Sequence, residues 1–353
     1  MAASQQTRYM SKSVTFDGVY TQYKTGYSAY IVSGGTKYNV TAAIISVERS
    51  DADNQIAQRV TLRLMNVQAN NGTWLTGIFR ARDRVYLYAN DGKTEAEVFR
   101  GYLWSRSYAS SPSDREITLV CYDNLIYLQE SDDSLYFSPG NSTVDVVSSI
   151  CNKWGIKLNY SYSSITHSKL PLRGNLYDIL TADILDLVKR KTGKKYVVIS
   201  DQDTMYVKPA GANTTIYKFQ AKQNVTKTAS GWTMDGVVTQ VVIVGKADND
   251  GREPIETTVG GHTSLYGTLQ KILNRVESTT LAEAIEEAQH TINEYGAPKN
   301  EYEVTAPDVP WIRKGDKVYV NAGDIGNKYL IVVAIDRIFD GTKCEMVLTA
   351  KDV

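Results

Sequence analysis

Apolar and polar positions alternate with period two over several short stretches of the first 130 residues. They predict strands at 43–49, 59–65, 84–88, 96–107 and 115–122. Ahead of them, Tyr30-Ile31-Val32, Ser33-Gly34-Gly35-Thr36 and Tyr38-Asn39-Val40 read as a hairpin whose glycine pair supplies the positive φ of a tight turn. Asn90-Asp91-Gly92 supplies another turn. Strands at this regular spacing indicate a barrel or a sandwich. Regular structure is expected from about Tyr27. Residues 1–26 are polar, carry Tyr9, Phe16, Tyr20 and Tyr23, and keep no period, which suits either a docking arm or a disordered tail.

The pattern then changes to helical spacing. Val144, Val147, Ile150 and Cys151 share one face of a helix over 143–154, and Gly155 stops it. Asn175 can cap a second helix with Asp178 in its first turn; Leu176, Ile179, Leu180, Ile184, Leu187 and Val188 form its apolar face. Lys189, Arg190 and Lys191 suit the negative end of that helix dipole, and Gly193 ends it. A hairpin follows at 196–199 and 205–208 around Asp201-Gln202-Asp203, so 131–235 reads as an α+β insert. Strand patterning returns at 236–244. One long helix is expected over 281–295, opened by the Thr280–Glu283 capping box and closed by Gly296 and Pro298, with Leu281, Ala284, Ile285, Ala288 and Ile292 as its stripe.

One β unit occurs twice. Arg82-Asp83-Arg84-Val85-Tyr86 answers Gly315-Asp316-Lys317-Val318-Tyr319 when Asp83 is set on Asp316. Tyr102-Leu103-Trp104 then answers Tyr329-Leu330-Ile331, and the run from Ile117 to Asp123 answers the run from Met346 to Asp352. The expected architecture is mainly β with an α+β insert: an N-terminal arm at 1–26, a first β-barrel at 27–130, the insert at 131–235, and a second β-barrel at 236–353 that includes the 281–295 helix. Duplicated units allow a ring with twice as many equivalent surfaces as subunits. Both repeats set an acid among bases, Arg82, Asp83 and Arg84 in the first and Lys314, Asp316 and Lys317 in the second. Alternating charge of this kind suits register-setting contacts between subunits, or simply two solvated turns.

Composition narrows the function classes. Lys+Arg and Asp+Glu both number 39, so the zero net charge removes the usual electrostatic basis for a nucleic-acid binder; a locally basic face stays open, and no sequence-specific nucleic-acid partner is expected. No apolar run approaches the roughly 20 residues that span a bilayer, and the N-terminus lacks the apolar segment of a signal peptide. The expectation is a protein made in the cytoplasm that leaves the cell only by lysis or within a larger particle. Cys121, Cys151 and Cys344 are an odd number with no CxxC spacing; Cys121 and Cys344 read as packing residues.

No catalytic, metal or cofactor site emerges. His167, His262 and His290 stand far apart, with no HExxH and no nucleophile elbow. Thr192-Gly193-Lys194-Lys195 lacks the Ser or Thr and the preceding strand of a P-loop; the basic run suits a helix C-terminus or, alternatively, a phosphate patch. Glu286-Glu287 and Asp132-Asp133 are adjacent pairs, unlike the cleft-spanning carboxyls of glycosidases. The 24 tyrosines fit subunit interfaces, carbohydrate grooves or ordinary strand preference.

The order of these elements resembles the XkdQ/YqbQ-like baseplate hub proteins of contractile tails and phage-tail-like bacteriocins, relatives of the late-control-gene-D hubs and the N-terminal part of VgrG. The elements that carry it are the Arg82–Tyr88 strand, Gly101-Tyr102, the Ile117–Leu125 run, Leu176-Tyr177-Asp178-Ile179-Leu180 and Lys314-Gly315-Asp316-Lys317-Val318. The resemblance spans about 27–353. It implies a non-enzymatic homotrimer of pseudo-sixfold symmetry that adapts a hexameric tail tube, or its initiator protein, to a trimeric central spike. Other baseplate proteins would surround it in a particle assembled in the bacterial cytoplasm and released by lysis. The chain stops at Val353, right after the second unit, so the spike is expected to be a separate protein. The rival readings are a cell-wall glycan hydrolase, favoured by a convergent acid pair in a deep cleft, and a glycan-binding tail module, favoured by tyrosines lining a groove.

Overall fold

A computed structural model of the chain describes residues 25–111, 115–162, 164–275, 280–341 and 343–353. Nearly all of the expected N-terminal arm lies outside the described residues. The first strands are β1 (Gly26–Ser33), β2 (Thr36–Asn39), β3 (Ile44–Asp51), β4 (Arg59–Met65), β5 (Arg84–Asn90), β6 (Glu95–Ser110) and β7 (Arg115–Tyr122). Alternation gives several of them a buried face: every second residue of β1 and of β5 is inside, as are Ile117, Leu119 and Cys121 of β7. The β1–β2 hairpin turns on Gly34 and Gly35, at φ 57° and 81°.

The next stretch supplies β8 (Asp132–Phe137), helix α1 (Thr143–Lys153), β9 (Lys157–Tyr160) and β10 (Leu170–Asn175). Helix α2 then runs from Leu176 to Thr192, followed by β11 (Tyr196–Asp201) and β12 (Thr204–Pro209). Ser142 and Asp145 form a full capping box on α1, and the Asn175 side chain accepts from Tyr177 N at the start of α2. Over Ile179–Leu185 α2 is wound as a π-helix, which the apolar spacing did not foretell; as a result Leu185, rather than Leu187, is buried. Gly193 ends it in the left-handed conformation, φ 69°. β10 pairs with β8, and β12 lies between β11 and β9. With α1 and α2 these strands enclose an apolar core of their own around Val147, Ile150, Leu180, Ile184, Val188 and Met205.

The remaining strands are β13 (Lys218–Gln220), β14 (Lys227–Thr233), β15 (Gln240–Val244), β16 (Ile255–Gly260), β17 (Gln270–Asn274), β18 (Lys299–Pro307), β19 (Lys317–Ala322), β20 (Gly326–Phe339) and β21 (Cys344–Asp352), with helix α3 (Leu281–Tyr295) between β17 and β18. The described residues form two compact units, one of residues up to Ala229 together with Tyr302–Val353, the other Ser230–Glu301. In the second, β15 lies between β16 and β17, and Val238, Val241 and Ile243 pack on Ala284, Ala288 and Ile292 of α3. The Thr280–Glu283 capping box forms as expected. Leu281 and Ile285 of the predicted stripe are instead exposed, because only the i, i+4, i+8 row of α3 faces its small sheet.

The first unit is dominated by one thirteen-stranded sheet, ordered β14-β18-β21-β20-β3-β4-β7-β6-β5-β1-β2, with β19 added to β20 and β13 to β19. Both halves of the sequence meet in it where β3 pairs antiparallel with β20, Asp51 opposite Ile335 and Val47 opposite Phe339. One continuous core underlies it, from Ile31, Leu62 and Leu119 to Val304, Val332 and Leu348. Burial of aliphatic side chains on this scale, at about 1.5–3 kcal/mol each, supplies the dominant stabilisation.

Candidate assembly interface

The repeated turn has the same hydrogen bonds in both copies. Asp83 Oδ2 accepts from Arg80 N at 2.7 Å, and Asp316 Oδ2 accepts from Arg313 N at 2.8 Å. Each aspartate N–H donates back to that arginine's carbonyl, at 3.2 and 3.1 Å. The residue before the aspartate is left-handed in both, Arg82 at φ 68° and Gly315 at φ 86°. Each turn is then clamped by the strand beyond: Arg82 N to Leu103 O and Leu103 N to Asp83 O, both 2.8 Å, against Gly315 N to Val332 O and Val332 N to Asp316 O, 2.8 and 2.9 Å.

These bonds correct the alignment of the middle segment. Leu103 corresponds to Val332, two residues beyond the Leu330 that matches it in sequence. A two-residue slip keeps every side chain on its own face, so an alternating pattern cannot detect it. With this register both long strands bulge at the same place, between Leu103 and Ser105 in β6 and between Val332 and Ala334 in β20. Cys121 opposite Leu103 then matches Ala350 opposite Val332, as expected. The copies diverge at their outer edges, where β1 joins β5 antiparallel but β13 joins β19 parallel.

The six charged residues of the two turns are placed differently. Arg82 is exposed and donates to the Tyr127 hydroxyl at 3.1 Å; Arg84 pairs with Asp203 at 2.5 Å. Lys317 lies over the Tyr329 ring. Lys314 and Asp316 are buried. Lys314 Nζ donates to the carbonyls of Ala52 and Gln55, and burial holds its pKa below the ordinary lysine value. Asp316 lies 3.4 Å from Lys208 Nζ, and burial raises its carboxyl above the usual range. The aspartates thus shape their turns, and the second turn is built into the chain's own interior.

A buried ionic group flanks the β3–β20 seam, invisible to sequence reading because its members are far apart. Asp308 Oδ1 accepts from Arg337 Nε at 2.9 Å and Oδ2 from the Tyr27 hydroxyl at 2.5 Å, with both members of the ion pair almost fully enclosed. Arg49, directly opposite Arg337 in the ladder, donates to the carbonyls of Val98 and Pro310. Burial, and then the neighbouring Arg337 charge, hold the Arg49 pKa down. Beside the seam lies a cavity of about 340 Å³ lined by Glu48, Arg59, Asp336, Lys343 and Glu345 among others, in which Lys343 pairs with Glu345 at 2.7 Å.

The histidines are not brought together. His167 is buried with its Nε2 2.7 Å from the Thr143 hydroxyl, His262 is exposed, and His290 is partly covered on α3. No three His, Cys, Asp or Glu side chains among the described residues are grouped to hold a metal. Cys121 and Cys151 are buried free thiols, and Cys344 is half-buried.

Asp123, which follows β7, is a second buried acid whose pKa burial raises. It accepts from Gln58 N and Leu125 N, both at 2.9 Å, and burial pushes its pKa up to about 7. A folded-state pKa above the unfolded value near 4 means that the native state holds a proton the unfolded chain releases. This contribution is complete below about pH 4 and is lost as pH rises through 7. The urea midpoint of Asp123→Asn is therefore expected to fall less than that of the parent between pH 5 and pH 8. Equal falls in both would show that Asp123 is ionised throughout.

The fold is similar to that of the tail protein from Neisseria meningitidis MC58, at 13% identity over 93% of this chain and 97% of that chain, TM-score 0.67. It is also similar to the 43 kDa tail protein of prophage MuSo2 from Shewanella oneidensis, at 14% identity over 93% and 98%, TM-score 0.64. A third likeness is to the prophage tail protein gp18 from Listeria monocytogenes EGD-e, at 13% identity over 92% and 94%, TM-score 0.58. No curated protein matches the chain. The family model described as YQBQ-like matches residues 52–351, from the end of β3 through β21, and so takes in both copies of the clamped turn. The order of elements and the match along nearly the whole chain lead to one conclusion: the chain belongs to the YQBQ-like family.

Proposed function

We propose that the chain is the structural, non-enzymatic hub of a contractile tail or tail-like particle. Three copies form a ring in which six related β units face a hexameric tail tube or its initiator, while the opposite face receives a trimeric spike and the rim meets other baseplate proteins. The two tube-like domains of this reading are 27–130 and 236–353, with 131–235 as the insert. One observation carries it: the same clamped turn, bulge and flanking strand occur twice in one chain, and a ring of three chains then offers six near-equivalent positions. Membership in the family and a fold shared with tail proteins support it. Of the charged turn residues, the partly exposed Arg82, Asp83, Arg84 and Lys317 remain the candidates for contacts between subunits, whereas Lys314 and Asp316 are occupied within the chain.

The test is the mass of the purified protein by light scattering and native mass spectrometry. The expected value is three times the 39.3 kDa of one chain. A monomer at all concentrations, or an even-numbered oligomer, would overturn the trimeric ring.

A further inference from the structure

Within the chain, the second β unit is not left with an open strand at its seam. The end of β20, Ile335–Phe339, is covered by β3 of the first unit. Carrying the register of the repeat forward, Ile335–Phe339 correspond to residues 106–110 of β6: Arg106 opposite Leu119 matches Ile335 opposite Leu348. That stretch of β6 has a different fate. β7 pairs with one edge of it, but β5 reaches only as far as Tyr102, and no other described strand takes the second edge. Residues 104–110 are all exposed, with Trp104 at 42% and Tyr108 at 48%. Among the described strands the counterpart of β3 is equally unused. β3 neighbours β4 as β14 neighbours β18, with Thr226 N donating to Thr305 O, and β14 ends the sheet with Lys227 and Ala229 exposed.

We infer that the free edge of β6 at Arg106–Ser110 is covered by β14 of a second copy of this chain, in the manner in which β3 covers β20 within one copy. The chain itself supplies the pattern for the occupant, because the equivalent edge is already covered by the equivalent strand. An uncovered strand edge of this length invites addition of another strand. The contact is head to tail: one edge of each copy meets a different edge of the next, so contacts of this kind close into a ring or propagate. This inference rests on the trimeric ring proposed above and names the surfaces that close it.

The test uses proline on each edge of the full-length protein. Successive residues of a strand point their N–H groups to opposite edges. Of Tyr108→Pro and Ala109→Pro, therefore, one removes only an outward donor of β6 and is the one whose circular dichroism and melting match the parent's. Thr228→Pro and Ala229→Pro form the same pair for β14. The fold-competent β6 variant alone is expected to drop from trimer to monomer, and so is the β14 variant. Mixed, the two keep one intact edge each and are expected to give a heterodimer of two chains that grows no further. If the folded β6 or β14 variant keeps the parent's trimeric mass, this assignment is overturned while the trimer stands. A parent that is itself monomeric overturns both.

Discussion

Asp308→Ala is expected to lower stability by about 3–5 kcal/mol, the usual cost of removing one partner of a buried ion pair. The carboxylate holds Arg337 Nε at 2.9 Å and accepts from Tyr27 at 2.5 Å in a region closed to water. Arg49 is buried directly across the ladder, so the variant leaves two guanidinium groups enclosed with no acidic partner at this position. The two arginines sit on β3 and β20, and the loss falls on the seam that joins the halves of the chain. Asp336→Ala, one residue from Arg337 but exposed, should stay within about 0.5 kcal/mol of the parent. Urea unfolding of the two variants side by side measures the contrast. Equal midpoints would mean that the buried pair contributes no more than a surface charge.

Gly101→Ala is expected to cost roughly 2–3 kcal/mol, at the upper end of what overpacking usually brings. Gly101 has no positive φ, so the requirement is for space. A Cβ built there would overlap the Tyr122 carbonyl oxygen and the Phe99 ring, and the carbonyl belongs to the paired strand β7. The second repeat has Leu330 at this place, since Val85 faces Gly101 and Val318 faces Leu330. The first unit fills the same region with Phe99, which is buried, where the second has the half-buried Lys328. Gly26→Ala in β1 has open space around the added methyl and should be neutral or slightly stabilising. Thermal melts of the pair decide the matter, and a Gly101→Ala variant that melts with the parent would show that β6 and β7 part without cost.

Elements with a strong local signal were legible from the chain alone. The bounds of β4 and β7 follow from alternation, and those of α3 from its capping box and stop signals. The clamped turn could be found because Asp83 and Asp316 each act within their own few residues, where spacing in sequence is distance in space. Short or irregular strands such as β13, β14, β16 and β17 carried too little pattern, and the π-wound part of α2 arises from how that helix packs.

What the sequence by itself determined was therefore part of the inventory: the strongly alternating strands, the capped helices, and that one β unit occurs twice. Tertiary structure decided the rest. The two-residue register of the long strands depended on hydrogen bonds from Asp83 and Asp316, because alternation is blind to a slip of two. The burial of Lys314 and Asp316 beside the exposure of Arg82 depended on what lies over each turn, Lys208 and the Ala52 and Gln55 carbonyls on one side and Tyr127 on the other. The Tyr27, Asp308, Arg337 and Arg49 group joins residues hundreds of positions apart. Such contacts come from chain closure over long loops, which no local pattern encodes, and they set both the seam within the chain and the edges left open at its ends.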